Sequence, residues 1–189
     1  VELDRTSLAN WMIKCGVLTQ PLINLMYERA RESSLLHMDE TVLQVLKESE
    51  RSAQQQSRMW VMTNNEASAR ITLFHYSPTR KTSEADWMLG DFSGALMTDG
   101  YAAYDSVCKT KQLENLGCWA HTRRYFKEAL DAQGKNKAGK ANTALAFIQK
   151  LYRIEKLSEN QTIDEKYQTR QAQVVPLLDQ LRQWLDKNI

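Results

Sequence analysis

Two aspartates lie in segments whose composition is otherwise typical of β-strands. Asp39 lies within LLHMDETVLQVL, residues 35–46, which is mostly apolar and contains β-branched residues. Asp99 follows the apolar run GALMT and precedes Gly100. An unpaired carboxylate inside a strand is costly, because burial disfavours its charged form. Each aspartate therefore requires a partner that stabilises its charge.

The spacing of the two aspartates predicts a shared metal ion. Side chains alternate between the two faces of a strand, so Asp39 and its neighbour Glu40 point in opposite directions. If the two strands lie adjacent and parallel, Asp39 and Asp99 approach each other on one face of the sheet. Two carboxylates at that distance repel each other unless a cation lies between them. Oxygen-rich acidic sites favour Mg²⁺ or Mn²⁺, which can serve phosphoryl transfer.

Other interpretations of these residues stay open at the level of sequence. Asp-Gly is a common turn dipeptide, so Asp99 could be a turn residue. A structural arginine, rather than a metal, could neutralise Asp39. Arg80, within YSPTR, could brace the sheet or bind a phosphate. Tyr101 and Tyr104 are typical packing residues, although a tyrosine beside a site could also stack on an extruded base.

A second group of candidate residues is basic. Between residues 107 and 140 the bases outnumber the acids, and such an excess could contact phosphates. The bases are Lys109, Lys111, Arg123, Arg124, Lys127, Lys135, Lys137 and Lys140. His121, Arg123, Arg124 and Lys127 are the strongest candidates, because guanidinium groups suit phosphate geometry and His121 lies beside them. A solvated helix face or an internal ion pair is the alternative.

The elements that must position these residues alternate between strands and helices. Residues 4–32 have helical spacing, where Asp4 or Thr6 can cap the first turn and Pro21 can open a second helix. The patterns predict strands at 35–46, 58–64, 69–77, 94–99 and 113–121, and helices at 82–90, after Gly100 and at 122–132. Residues 141–189 are predicted to be helical, with a kink at Pro176. This order indicates an α/β fold.

The composition indicates a soluble globular protein. Of the 189 residues, 42% are hydrophobic and 25% are charged, and no apolar run approaches the roughly 20 residues of a membrane span. The N-terminus lacks the pattern of a secretory signal, and the absence of an initiator Met predicts a piece of a longer chain. Three irregularly spaced cysteines favour a reducing compartment. Trp60, Trp87 and Trp119 are predicted core residues.

Four strings, HMDET, YSPTR, LGDFSGALMTDGYAAY and CWAHTRRYF, resemble the insertion sequence sixty-six family of bacterial transposases. The resemblance implies a ribonuclease-H-like catalytic core with an Asp-Asp-Glu triad and two divalent metals, Mg²⁺ or Mn²⁺. By motif, Asp39 is the first acid and Asp99 the second. The parent would cleave transposon ends and transfer DNA strands in the bacterial cytoplasm. Its partner would be double-stranded DNA of the ends and target, contacted by the basic candidates, and a homo-oligomer is possible.

The resemblance departs from the family pattern at the third acid. That acid belongs to an Asn-Asn-x-x-Glu motif beyond a helical insertion, and no such motif occurs in the expected place. We therefore expect an N-terminal helical segment (1–34), a partial ribonuclease-H-like core (35–131) and a truncated helical insertion (132–189). Glu128, after the fifth strand, is a possible substitute. Without a third acid the chain would be inactive alone, and a non-catalytic DNA-binding or assembly module is the alternative.

Overall fold

The structure is a computed structural model that describes residues 4–48, 50–132 and 139–188. Its contacts divide the chain into two compact units, the first ending at Cys118 and the second beginning at Trp119. Each unit is described by itself. The boundaries expected near residues 34 and 131 stay predictions.

The first unit contains a five-stranded mixed sheet with helices before and between its strands. Its elements are α1 (Arg5–Arg31), β1 (Leu35–Gln44), β2 (Gln56–Asn64), β3 (Thr72–Ser77), α2 (Thr82–Leu89), β4 (Ala95–Thr98), α3 (Ala102–Lys111) and β5 (Glu114–Gly117). The predicted order of strands and helices is confirmed, and the fold is mixed α/β.

The sheet has the strand order β3-β2-β1-β4-β5, with β1 at its centre. Strands β1, β2 and β3 form an antiparallel meander, whereas β4 runs parallel to β1 and β5 runs parallel to β4. Parallel neighbours need a crossover connection, and the chain between β4 and β5 supplies one through α3. The adjacency and parallel direction of β1 and β4 are the condition that a shared Asp39–Asp99 site requires.

One face of the sheet carries the hydrophobic core. In β1 the residues at even positions, Leu36 and Met38, are buried, while their odd-numbered neighbours are half-buried. Helices α1, α2 and α3 contribute buried side chains to the same cluster. The core residues include Tyr27, Ala30, Leu36, Met38, Trp60, Met62, Met88, Leu89, Leu96, Tyr104 and Val107. The other face of β1 is therefore the more accessible one.

Of the three tryptophans predicted to be core residues, only Trp60 is buried. Trp87 is 54% exposed and Trp119 is 37% exposed. In α2 the inward positions belong to Ala85, Met88 and Leu89, three or four residues apart, so the side chain of Trp87 lies on the opposite side. The aromatic residue type predicted that Trp87 is buried, but its position around the helix axis places its side chain away from the core.

Helix α1 is continuous, which corrects the expectation that Pro21 opens a second helix. A proline inside a helix removes one backbone hydrogen bond. Just before Pro21, the Thr19 hydroxyl donates to the carbonyls of Cys15 and Gly16, at 3.0 and 3.1 Å. These side-chain hydrogen bonds stabilise the helical turn that precedes the proline. At the start of the helix, the carboxylate of Asp4 accepts from the Ser7 amide at 2.6 Å, so Asp4 is the cap.

Every element of the second unit within its described residues is a helix. It contains α4 (Trp119–Ala132), α5 (Lys140–Leu157), α6 (Ile163–Thr169), a π-helical turn (Arg170–Val174) and α7 (Val175–Asn188). The π-turn directly precedes Pro176, where the amide of Val175 donates to the Arg170 carbonyl five residues back. The kink or break predicted at Pro176 stays a prediction. Among the helices of the described ranges, none is long and apolar enough to cross a membrane.

Candidate active site

Asp39 and Asp99 lie two residues beyond the last paired residues of β1 and β4. Leu35 pairs with Ala95, and His37 pairs with Met97. Continued by two residues, this register would align Asp39 with Asp99, which directly follows β4. Paired residues on adjacent strands, which lie about 4.8 Å apart, point to the same face of a sheet. Both aspartates are half-buried and lie on the face opposite the hydrophobic core.

Backbone amides orient both carboxylates. Oδ1 of Asp39 accepts from the amide of Glu40 at 2.9 Å, and Oδ1 of Asp99 accepts from the amide of Tyr101 at 2.9 Å. Gly100 lies between Asp99 and Tyr101 and has φ of 86°, a backbone conformation that residues with a Cβ rarely adopt. Asp99 is therefore a turn residue, as its Asp-Gly dipeptide indicates. The turn also leads into α3, and its geometry is compatible with metal binding.

Glu40 lies on the core face and is the acid that an arginine neutralises. Its side chain is only 1% exposed. Nε of Arg80 donates to Oε1 of Glu40 at 2.6 Å, and a second guanidinium nitrogen forms an ion pair with the same oxygen. The hydroxyl of Tyr104 donates to Oε2. Hydrogen bonds from charged and neutral donors together stabilise a carboxylate that would otherwise be costly to bury.

The same cluster reaches the turn after Asp99. The guanidinium of Arg80 lies 3.6 Å from the ring centroid of Tyr101, and Tyr101 contacts Tyr104 edge-on at 6.2 Å. Tyr104 in turn packs edge-on against Trp60, with 6.0 Å between the ring centroids. The cluster thus joins the centre of the sheet to the segment that carries Asp99. We refer to Glu40, Arg80, Tyr101 and Tyr104 as the Glu40 cluster.

Protonation in the Glu40 cluster is set by burial and by the Glu40 charge. Burial lowers the pKa of Arg80, but the hydrogen bond and charge of Glu40 outweigh that effect, so the pKa is raised overall. For Tyr104, burial first and the hydrogen bond to Glu40 second raise the pKa far above its ordinary value. Arg80 is therefore a permanent cation and Tyr104 a neutral donor at physiological pH.

These contacts bear on two alternatives that the sequence left open. Arg80 braces the sheet through Glu40. Tyr104 is a packing residue of the core. The importance of Glu40 was missed in the sequence, although its position next to Asp39 already placed it on the opposite, core-facing side.

The donor set at Asp39 and Asp99 suits a hard divalent cation. Carboxylate oxygens are the ligands that Mg²⁺ and Mn²⁺ prefer. Over the described ranges, however, no group of three or more His, Cys, Asp and Glu side chains is placed to hold a metal ion. The β1–β4 register therefore supplies two of the acids that such a site would use.

The other predicted site residues belong to the second unit, in α4. His121 is half-buried in the first turn of the helix, whereas Arg123, Arg124 and Glu128 are exposed. Lys127 is exposed and pairs with Asp131 at 2.7 Å, a surface ion pair that contributes little energy. The roles of these residues in DNA binding, and of Glu128 as a third acid, stay predictions.

Some of the remaining bases between residues 107 and 140 have internal contacts. Nζ of Lys111 pairs with Asp86 at 2.9 Å and donates to the Gly90 carbonyl at 2.6 Å, so Lys111 links α3 to α2. Lys140 donates to the Asn188 carbonyl at 2.7 Å. Lys135 and Lys137 lie outside the described residues. The exposed arginines of α4 are therefore the better candidates for phosphate contacts.

Comparisons with known proteins point to one family. The family model described as "Transposase IS66 family" matches residues 1–189. The chain is also similar to the uncharacterized proteins y4qI and y4jD of Sinorhizobium fredii, with 28% identity over 82% of the chain and 25% over 96%. It spans only 30% and 37% of the lengths of these relatives. Because the family model matches the whole chain, this protein belongs to the IS66 family of transposases.

Proposed function

We propose that this chain is part of the catalytic region of a DNA transposase. The complete protein would cleave transposon ends and join the freed strands to target DNA by divalent-metal phosphoryl transfer. The observation that supports the proposal is the parallel pairing of β1 with β4 in a chain of this family, whose register, continued by two residues, would align Asp39 with Asp99. The strand order β3-β2-β1-β4-β5 supports a ribonuclease-H-like core.

In this proposal Asp39 and Asp99 hold Mg²⁺ or Mn²⁺ through their carboxylate oxygens. When bound, such an ion supplies Lewis-acid stabilisation to the phosphoryl group. The protein contributes position: the amides of Glu40 and Tyr101 orient the two carboxylates, and the Glu40 cluster holds their backbones in place. Arg80 pairs with Glu40, so Glu40 is not one of the proposed metal ligands.

A third acid completes the proposed site. Glu128 is the candidate within this chain, and a glutamate in an Asn-Asn-x-x-Glu segment of the complete protein is the other. With Asp39 and Asp99 alone, Mg²⁺ binding is expected to be weak, because Mg²⁺ gives up its water ligands reluctantly. We therefore expect residues 1–189 by themselves to be inactive in DNA cleavage.

The proposed partner is double-stranded DNA of transposon ends and target, and the proposed location is the bacterial cytoplasm. His121, Arg123, Arg124 and Lys127 of α4 would contact its phosphates. A homo-oligomer is also proposed, and helix α1 supports it. Exposed apolar residues of α1 recur at intervals of three, seven, four and three positions, which fits the spacing of a coiled-coil seam: Leu8, Trp11, Leu18, Leu22 and Leu25.

DNA cleavage by the complete protein tests this function. With Mg²⁺ and transposon-end DNA, Asp39→Asn and Asp99→Asn should each abolish strand cleavage while DNA affinity stays unchanged. Asp91→Asn, a matched change at an exposed aspartate between α2 and β4, should cleave normally. If both site variants cleave like the wild type, the catalytic assignment is wrong. Intact DNA binding by a wild type that never cleaves would favour the DNA-binding or assembly module.

A further inference from the structure

A cavity of about 280 Å³ is lined in part by His37 of β1, which is half-buried on the accessible face of the sheet. His37 lies two residues before Asp39 in β1 and therefore on the same face. His37 pairs with Thr63 of β2, which pairs with Thr72 of β3, so these three residues form a row across the sheet. Together with Asn64, Asn65 and Arg70 they line the cavity.

The lining is polar and carries positive charge. It contains the guanidinium of Arg70, the imidazole of His37 and the side chains of two threonines and two asparagines, but no carboxylate. Within the described part of the chain, no carboxylate forms an ion pair with Arg70. A cavity of this chemistry favours an anion with several oxygen acceptors.

The loop that carries Arg70 is held in place by Asn64. The buried side chain of Asn64 donates to the Ala69 carbonyl at 3.1 Å and accepts from the Ile71 amide at 2.8 Å. The hydroxyl of Thr63 donates to the Ile71 carbonyl at 2.9 Å. These hydrogen bonds hold the backbone of Ala69 and Ile71, the two neighbours of Arg70. The backbone position of Arg70 is therefore defined.

We propose that this cavity binds a backbone phosphate of the DNA strand whose reacting phosphate lies at Asp39 and Asp99. The inference rests on the proposed transposase function and adds a binding subsite to it. His37 and Asp39 are about 7 Å apart along the strand. Each nucleotide rises about 3.4 Å along a duplex, so the bound phosphate lies one or two nucleotides from the reacting one.

The salt dependence of DNA binding by residues 1–189 tests the charge of Arg70. Each phosphate contact contributes about one unit to the slope of log K against log salt. Arg70→Gln should reduce that slope by about one unit, and Arg70→Lys should restore it. Arg29→Gln is the matched control, because Arg29 is an exposed arginine of α1 paired with Glu32, and the slope should not change.

DNA with single methylphosphonate linkages locates the contact. One neutral linkage, within two nucleotides of the cleavage position, should weaken binding by the wild type and have no further effect on Arg70→Gln. If Arg70→Gln leaves both the slope and the methylphosphonate profile unchanged, the subsite is wrong. The transposase proposal would survive that result, because it is tested by cleavage in Asp39→Asn and Asp99→Asn. A wild type that binds no DNA at low salt would overturn the subsite as well.

Discussion

Asp39 and Glu40 are neighbours with different surroundings, because successive strand residues point to opposite faces. Glu40 is buried in the core and is neutralised by Arg80 and Tyr104. Asp39 lies half-buried on the accessible face. Glu40 therefore helps to stabilise β1, the strand that also carries Asp39. The pairing of Glu40 with Arg80 spans forty sequence positions, which local periodicity cannot reveal.

Removal of Arg80 should destabilise the protein strongly. Arg80→Met leaves the Glu40 carboxylate buried without its cation, which we expect to lower the free energy of unfolding by about 3 kcal/mol. Arg29→Met removes the cation of an exposed pair and should cost less than about 1 kcal/mol. Glu40→Gln in the Arg80→Met background should recover part of the loss. Urea unfolding measures all three, and equal losses for the two arginines would contradict a buried role for Glu40.

Tyr104 should make stability depend on pH in the alkaline range. Its pKa is raised in the folded protein, so the folded state holds the phenolic proton more tightly than the unfolded state. The stabilisation is complete below the unfolded pKa of about 10 and is lost as pH rises above it. The difference in unfolding free energy between wild type and Tyr104→Phe should therefore shrink from pH 8 to pH 10.5. Tyr125→Phe, at an exposed site of α4, should show no such change, and a constant difference for Tyr104→Phe would refute the assignment.

At the scale of elements, the site depends on where β4 ends and α3 begins. Asp99 occupies the position just after β4, and Gly100 lets the chain turn into α3 while the amide of Tyr101 reaches back to Asp99. The sequence predicted this strand, the turn and the shared face, because alternation and the Asp-Gly dipeptide are local signals. It did not predict the continuity of α1 through Pro21 or the exposure of Trp87, which depend on side-chain bonds and helical phase.

Substitution of Gly100 tests the turn. Gly100→Ala places a Cβ at φ of 86°, which should lower the free energy of unfolding by about 1–2 kcal/mol. Gly16→Ala is the matched control, because Gly16 lies inside α1 with open space around a Cβ, and it should be neutral or stabilising by up to about 1 kcal/mol. Thermal and urea unfolding report both values. If the two variants behave alike, the turn does not require glycine.

At the scale of the whole molecule, the described residues form two compact units that carry different candidate functions. The first unit holds Asp39, Asp99 and the cavity lined by His37 and Arg70, and the second holds the exposed bases of α4 and Glu128. The order of elements and the family could be inferred from the sequence. The cavity could not, since its lining residues come from three strands and one loop whose lateral register only the folded chain defines.

Manganese binding by residues 1–189 tests the central claim, that Asp39 and Asp99 together hold a divalent ion. Electron paramagnetic resonance counts bound Mn²⁺ directly and needs no catalytic activity. The account predicts one weak site, whose affinity falls by at least about tenfold in Asp39→Asn and in Asp99→Asn, and is unchanged in Asp91→Asn. Equal Mn²⁺ affinity in the wild type and in both site variants would contradict it.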